Sequence, residues 1–280
     1  MDAISPAALE RALPHLRLCM DPRCALEILD GGEALRCRPH GRVFGFHDGF
    51  LDLLGEAPRR RTLSQQALDT RLTTWLYERG RDGAMRLVGL GDFATEAARI
   101  QAALGIEAGD TVLDLACGHG NFTVEWARLA GPTGLVVGLD LSASMLRRAA
   151  ARIARAGVDN VLLVRGDAHA LPFASQSFPR INCSGGFHAF PDLPRALAEL
   201  SRVASPGATL TASFFAGDPR RSRPCLRELC RRRLGLHFVP LPWLGRELEA
   251  AGFGRVSWSP PRAGFAYAAA VRGGRVDARN

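Results

Sequence analysis

The stretch Thr111-Val112-Leu113-Asp114-Leu115-Ala116-Cys117-Gly118-His119-Gly120 reads as a short apolar strand that ends in a glycine turn and opens a helix over 121–130. Glycines at such a turn let backbone amides approach a ligand, and the helix that follows adds the positive end of its dipole. The pattern admits a dinucleotide fold, because Asp140 lies 20 residues after Gly120 at the end of the next strand, where a carboxylate can grip ribose hydroxyls. The third glycine of that fingerprint is missing. Thr123 stands in its place, which turns the reading away from NAD.

Downstream of this turn, short apolar strands at 135–141, 161–164, 180–184, 208–215, 255–258 and 265–271 alternate with helical stretches. That alternation predicts an α/β fold, a doubly wound, Rossmann-like sheet of seven strands over residues 107–280. A longer insertion, 216–252, falls between the fifth and sixth strands and is the expected substrate cover. Upstream, residues 1–57 read as a small β-rich unit, with Gly31-Gly32, Gly41, Gly45 and Gly49 punctuating short alternating runs. Residues 58–106, entered through Pro58-Arg59-Arg60-Arg61, read as a helical linker or cap.

The composition, 47% hydrophobic and 23% charged over 280 residues, is that of a globular chain and excludes a disordered one. Apolar runs such as Val161-Leu162-Leu163-Val164 fall far short of the ~20 residues of a membrane span, so no membrane partner is expected. The N-terminus shows no basic region followed by an apolar one, and a cytoplasmic location is the expectation. The seven cysteines are odd in number and scattered, which suits thiols or metal ligands better than a disulfide framework. All 36 basic residues are arginine, and the net charge of +8 is unevenly placed. Residues 1–110 hold 14 Arg against 16 acids, whereas 111–280 hold 22 against 12, so any basic surface is C-terminal.

The third strand ends in Val164-Arg165-Gly166-Asp167-Ala168-His169-Ala170-Leu171-Pro172-Phe173. Together with Asp114…Gly118-x-Gly120 and Gly138-Leu139-Asp140-Leu141-Ser142, this resembles the class I S-adenosylmethionine-dependent methyltransferases, of the type 11/25 kind, over about residues 107–215. The resemblance implies S-adenosylmethionine as cofactor, held by Asp114, Ala116, Gly118, Gly120, Asp140, Leu141, Asp167, Ala168, Ser184 and Tyr77. Gly118 and Gly120 would line the methionine moiety and Asp140 would hold the ribose hydroxyls. Leu141 would pack on adenine, Asp167 would accept from its amino group, and the Ala168 amide would meet a ring nitrogen. These roles suit a carboxylate, which only accepts. Two departures stand out: Phe178 is followed by Pro179-Arg180 at the fourth strand, and the usual Lys-Pro-Gly-Gly turn is Ser205-Pro206-Gly207-Ala208.

The N-terminal segments Asp21-Pro22-Arg23-Cys24, Cys37-Arg38-Pro39-His40 and His47-Asp48-Gly49-Phe50-Leu51-Asp52-Leu53-Leu54 resemble a zinc ribbon that precedes some methyltransferase domains. The first cysteine of that ribbon is replaced by Asp21, with Cys19 two positions earlier. Cys19 or Asp21 with Cys24, Cys37 and His40 would supply four tetrahedral ligands. The favoured reading is a degenerate ribbon held by its own hairpins, with zinc as the alternative. Trp75-Leu76-Tyr77-Glu78-Arg79-Gly80 resembles a helix that covers the cofactor in such proteins, and Tyr77 is equally readable as a core aromatic beside Leu72 and Trp75.

Methyl transfer is an in-line displacement, so an enzyme supplies proximity and orientation, with a base where the nucleophile carries a proton. His188, in the loop Ser184-Gly185-Gly186-Phe187-His188-Ala189-Phe190 after the fourth strand, is the candidate base, or else a residue that packs there. His119 and His169 sit in the cofactor loops as supporting residues. The run 220–233 holds seven arginines and one glutamate, with Leu226, Cys230 and Leu234 at four-residue spacing; an amphipathic lid helix explains it better than a nucleic-acid grip. Phe214, Phe215, Phe238, Trp243 and Phe265 suggest an apolar pocket. The expected activity is O- or C-methylation of a small, largely apolar metabolite, such as a natural-product intermediate. An RNA methyltransferase is disfavoured because residues 1–55 hold six Arg against eight acids. A protein that binds the cofactor without methylating is the third reading.

Overall fold

The computed structural model describes residues 5–18, 26–29, 32–55, 93–217, 237–259, 261 and 264–273. Within them the helices are α1 (Pro6–Ala12), α2 (Phe93–Leu104), α3 (Asn121–Ala130), α4 (Ala143–Ala156), α5 (Leu193–Val203) and α6 (Leu241–Ala250). The strands are β1 (Leu26–Leu29), β2 (Ala34–Cys37), β3 (Val43–His47), β4 (Phe50–Asp52), β5 (Thr111–Leu115), β6 (Leu135–Asp140), β7 (Val161–Arg165), β8 (Phe178–Ser184), β9 (Ala204–Phe215), β10 (Phe253–Trp258) and β11 (Phe265–Arg272). All lie in one sheet, in the order β1-β2-β3-β4-β7-β6-β5-β8-β9-β11-β10.

The α/β, doubly wound class is as expected, but the strand number is not. The seven expected strands are β5 to β11, parallel from β7 through β9, with β11 reversed between β9 and β10. The other four continue the same sheet, because β4 pairs parallel to β7 with Leu51 opposite Val164 and Asp52 opposite Arg165. A three-residue strand carries too little pattern to name its neighbour, so the sequence placed these hairpins in a unit of their own.

β5, β6 and β7 are buried on both faces, which is why they are near-continuous apolar runs. One face carries α1, α5 and α6 over Leu113, Leu115, Val137 and Leu162. The other carries α2, α3 and α4 over Val112, Val136 and Leu163. β4 serves both, since Phe50 joins the second cluster and Leu51 the first. Residues 166–177, which connect β7 to β8, contain no helix, and α1 lies on β6 and β7 instead, burying Ala8, Leu9 and Ala12. Arg17 N donates to Pro172 O (2.8 Å) and Ala174 N to His15 O (2.8 Å), which ties this helix to that connection. Of the expected cover, residues 241–250 are α6, with Leu244 and Leu248 in the core; residues 218–236, and with them the arginine run, lie outside the described residues.

The β3–β4 hairpin turns on Asp48-Gly49, both at positive φ (51° and 83°), as a two-residue primed turn demands. A Cβ on Gly49 would sit 2.8 Å from the Ala150 Cβ, so glycine also lets the turn close on α4. Arg147 of that helix donates to Asp48 (2.7 Å). The seam between β4 and β7 is fixed by Asp52 and Arg165, both mostly buried: Arg165 Nη1 donates to Asp52 Oδ2 (2.8 Å) and to Gly55 O (3.1 Å). Burial opposes ionisation of Asp52, but the Leu54 and Gly55 amides and the Arg165 guanidinium outweigh it and hold its carboxyl below the usual range. A depressed carboxyl stabilises the fold above its unfolded value and loses that contribution as pH falls. We therefore expect Asp52→Asn to lower unfolding stability by about 1–3 kcal/mol at pH 7. In urea titrations the gap from wild type should narrow as pH drops below 3.8.

Candidate active site

The order of the strands reverses between β5 and β8, and in open parallel sheets ligands bind beyond the carboxyl ends at that point. There the chain after β5 makes a sharp loop, with Ala116, Gly118 and Gly120 all at positive φ (56°, 55° and 78°). Ala116 is a non-glycine residue in the left-handed region, which costs on the order of 1–3 kcal/mol and persists where the surroundings enforce it. A Cβ built on Gly118 would meet no described residue within 4 Å, whereas one on Gly120 would press on Ala149 of α4 at 3.0 Å, so the loop backbone is open at Gly118 and packed against α4 at Gly120. The loop leads directly into α3.

Asp140, at the end of β6, ties this loop to the next. Its Oδ2 accepts from Gly118 N (2.9 Å) and its Oδ1 from Ser142 N (2.8 Å), while Ser142 caps α4 through Met145 N. Leu141 follows, half-buried, and its carbonyl accepts from Arg165 Nε (3.4 Å). After β7, Asp167 Oδ1 accepts from His169 N (3.0 Å) and from His169 Nδ1 (2.7 Å), and Ala168 is buried beside them. The structure thus brings Gly118, Asp140, Leu141, Asp167 and Ala168 to the carboxyl ends of three adjacent strands.

Behind the loop, Asp114 is 1% exposed and accepts from Thr123 Oγ1 (2.6 Å) and Asn182 Nδ2 (2.8 Å). Asn182 Oδ1 in turn accepts from Ser184 Oγ (3.0 Å) and Thr211 Oγ1 (3.2 Å). Burial pushes the Asp114 carboxyl up to about 6 against the two hydrogen bonds, and Asp140 adds to the rise. Thr123, which displaced the third glycine, is therefore the hydroxyl that partners this carboxylate. Sequence reasoning missed Asn182 and Thr211. The available signal was an amide inside the apolar run Ile181-Asn182-Cys183, since a buried polar side chain needs a partner.

His188 sits in a short 3-10 turn (Phe187–Ala189) and is 7% exposed. Phe215 N donates to its Nδ1 (3.4 Å), and its carbonyl accepts from His237 N (2.7 Å). Burial, with some repulsion from His237, lowers its pKa to about 4. The imidazole packs edge-on to Phe215, which also contacts Phe238 and Phe265. Phe214, expected in the same pocket, is instead buried on the opposite face against Phe187, because alternate residues of β9 point to opposite sides. Trp243 likewise packs against that core.

In the hairpin region Cys37 is buried, with its Sγ 3.4 Å from His40 Nδ1. Cys19, Cys24 and Tyr77 lie outside the described residues. Among the described residues no group of three or more His, Cys, Asp or Glu is placed to hold a metal. No helix among them is long and apolar enough to cross a membrane.

The methyltransferase-domain family matches residues 112–207. Demethylmenaquinone methyltransferase of Staphylococcus aureus (strain JH9) is 38% identical over 109 residues, 39% of this chain and 44% of that protein, so the chain spans less than half the length of this curated relative. Among solved structures, Haemonchus contortus phosphoethanolamine N-methyltransferase 2 superposes with TM-score 0.64 at 14% identity, over 78% of this chain and 61% of that one. Geranyl diphosphate C-methyltransferase of Streptomyces coelicolor superposes with TM-score 0.57 at 18% identity, over 64% and 79%. With the glycine loop, the Asp140 clamp and the reversal of strand order already in place, residues 112–207 are a methyltransferase domain, and the chain carries the class I S-adenosylmethionine-dependent methyltransferase fold.

Proposed function

We propose that this protein binds S-adenosylmethionine at the carboxyl ends of β5, β6 and β7 and transfers its methyl group to a small, largely apolar acceptor. The observation that carries the cofactor reading is the Asp140 carboxylate, aimed by the Gly118 and Ser142 amides beside a glycine that no described residue covers. The acceptors fit: one acceptor-only carboxylate, Asp140, closes β6 and a second, Asp167, follows β7, as a ribose diol and an adenine amino group require. Gly118 and Gly120 would line the methionine moiety with Asp114, Ala116 and Ser184 behind them. S-adenosylmethionine, when bound, supplies a methyl group on a positively charged sulfur.

The acceptor class rests on the aromatic group at the end of β9. Phe215 is 37% exposed, a large apolar surface beside Phe238, Phe265 and His188. The curated relative acts on demethylmenaquinone, a substrate in keeping with such a wall. Because Phe215 N donates to Nδ1, His188 carries its proton on Nε2 and offers a donor. With its pKa near 4 it is a weak proton acceptor at neutral pH. We therefore assign His188 to holding, through Nε2–H, the oxygen of an enol or phenol acidic enough to give its proton to water before transfer, so that its anion displaces the sulfonium methyl, in place of the general-base role that the sequence suggested.

Calorimetry with S-adenosylmethionine and S-adenosylhomocysteine, with NADH as control, tests the cofactor. Micromolar binding of the first two and none of NADH is expected; the absence of binding overturns the reading. Asp140→Ala should weaken both ligands by at least roughly a hundredfold, since it removes a charge-assisted pair of bonds and the clamp on Gly118. Methyl transfer should then be found in a panel of phenols, enols and hydroquinones.

The neutrality of His188 has its own check. A histidine whose folded pKa lies below its unfolded 6.5 favours the folded state above that pH and destabilises it as the unfolded chain takes up a proton. Wild type should lose roughly 1–2 kcal/mol more than His188→Gln between pH 7 and pH 5 in urea titrations. An equal loss in both would show that His188 is charged in the fold.

A further inference from the structure

Two donors from a single residue converge on the Asp167 carboxylate: the backbone amide of His169 at 3.0 Å and its imidazole Nδ1 at 2.7 Å, both on Oδ1. The amide bond alone is an Asx turn, available to any residue with an N–H at that position, and it leaves the carboxyl torsion broad. The second donor removes that freedom. Because the carboxylate only accepts, the proton of this contact sits on Nδ1. The other ring nitrogen, Nε2, is buried and has no hydrogen-bond partner among the described residues, so Asp167 is the polar group among them that the ring engages. The ring is itself held from the far side of the site. Phe190, which follows the turn bearing His188, packs on it edge-to-face at 5.9 Å, and Arg195 Nε of α5 donates to the His169 carbonyl (3.0 Å).

We propose that His169 is a positioning residue for the adenine end of the cofactor: it fixes the Asp167 carboxylate in the orientation that accepts from the adenine amino group, and it is braced there from the acceptor-side loop. The inference rests on the cofactor reading above. It assigns to His169 a share in nucleobase selection, since a carboxylate locked in place rewards an amino donor and repels a carbonyl oxygen. A residue that merely holds the 167–170 turn would support the binding of any nucleobase alike.

The test is calorimetric binding of S-adenosylhomocysteine and of S-inosylhomocysteine, in which a carbonyl oxygen replaces the amino group, to the whole protein. Wild type is expected to prefer the adenine ligand by roughly ten- to a hundredfold. His169→Leu should bring the preference to within about threefold by weakening the adenine ligand selectively, and His169→Asn, whose amide can donate from near the Nδ1 position, should restore most of it. Thermal melting establishes that each variant is folded, and His169→Ala serves if His169→Leu is not. If both ligands weaken in parallel, leaving the preference unchanged, His169 is a structural residue and the inference falls while the cofactor reading stands. If wild type binds neither ligand, the cofactor reading itself fails.

Discussion

The carboxylate of Asp114 is the fixed point of this fold. It lies at the end of the central strand, with Thr123 of α3 on one oxygen and Asn182 of β8 on the other. A buried charge is tolerated only when its hydrogen bonds are made, so the first turn of α3 and the neighbouring strand are held to β5 by the same requirement. The loop at positive φ between β5 and α3 is spanned by this bridge. Through Asn182 the network extends to Ser184 and Thr211, so the loop expected to face the acceptor is referred to the same atom as the loop expected to face the cofactor.

Above that point the ends of the strands are joined in series. Asp140 links the first loop to the second by two amide bonds, and the Gly166 amide donates to the Asp140 carbonyl (3.0 Å). Backbone donors do most of this work, and they cost no side-chain ordering when a ligand arrives. On the opposite side of the site the contacts are aromatic: His188, Phe215, Phe238 and Phe265. The domain therefore presents a polar, backbone-defined half and an apolar, side-chain-defined half, the division that a charged cofactor and a largely apolar acceptor would need.

What could be read from the sequence was whatever depends on local pattern. The strands at 111–115, 135–140 and 161–165 are apolar on both faces, the turn at 116–120 carries its glycines, Asp140 closes its strand and Asp167 follows the next; each is visible over a handful of neighbouring residues. What escaped depends on pairing at a distance. Nothing in Phe50-Leu51-Asp52 says that its partner is Val164-Arg165. The value of Thr123 shows only when Asp114 is seen beside it, and the tautomer of His188 only when the Phe215 amide is. Phe214 and Phe215 are adjacent in sequence and lie on opposite faces, which the alternation of a strand implies and which a count of aromatic residues conceals.

The pairing of β4 with β7 also decides where the sheet ends. Without the hairpins, β7, an apolar strand buried on both faces, would present its row of unpaired amides and carbonyls to any other chain, the condition from which edge-to-edge aggregation starts. Among the described residues the hairpins move that margin outward to β1, a four-residue strand on which Glu27 lies within 3.8 Å of both Arg36 and Arg38. A strand of four residues, with a charge on it, is a poorer template for further pairing than β7. The amino-terminal segment, whatever else it does, thus acts as a selvedge: it finishes the edge of the cloth so that the parallel core does not recruit another copy of itself.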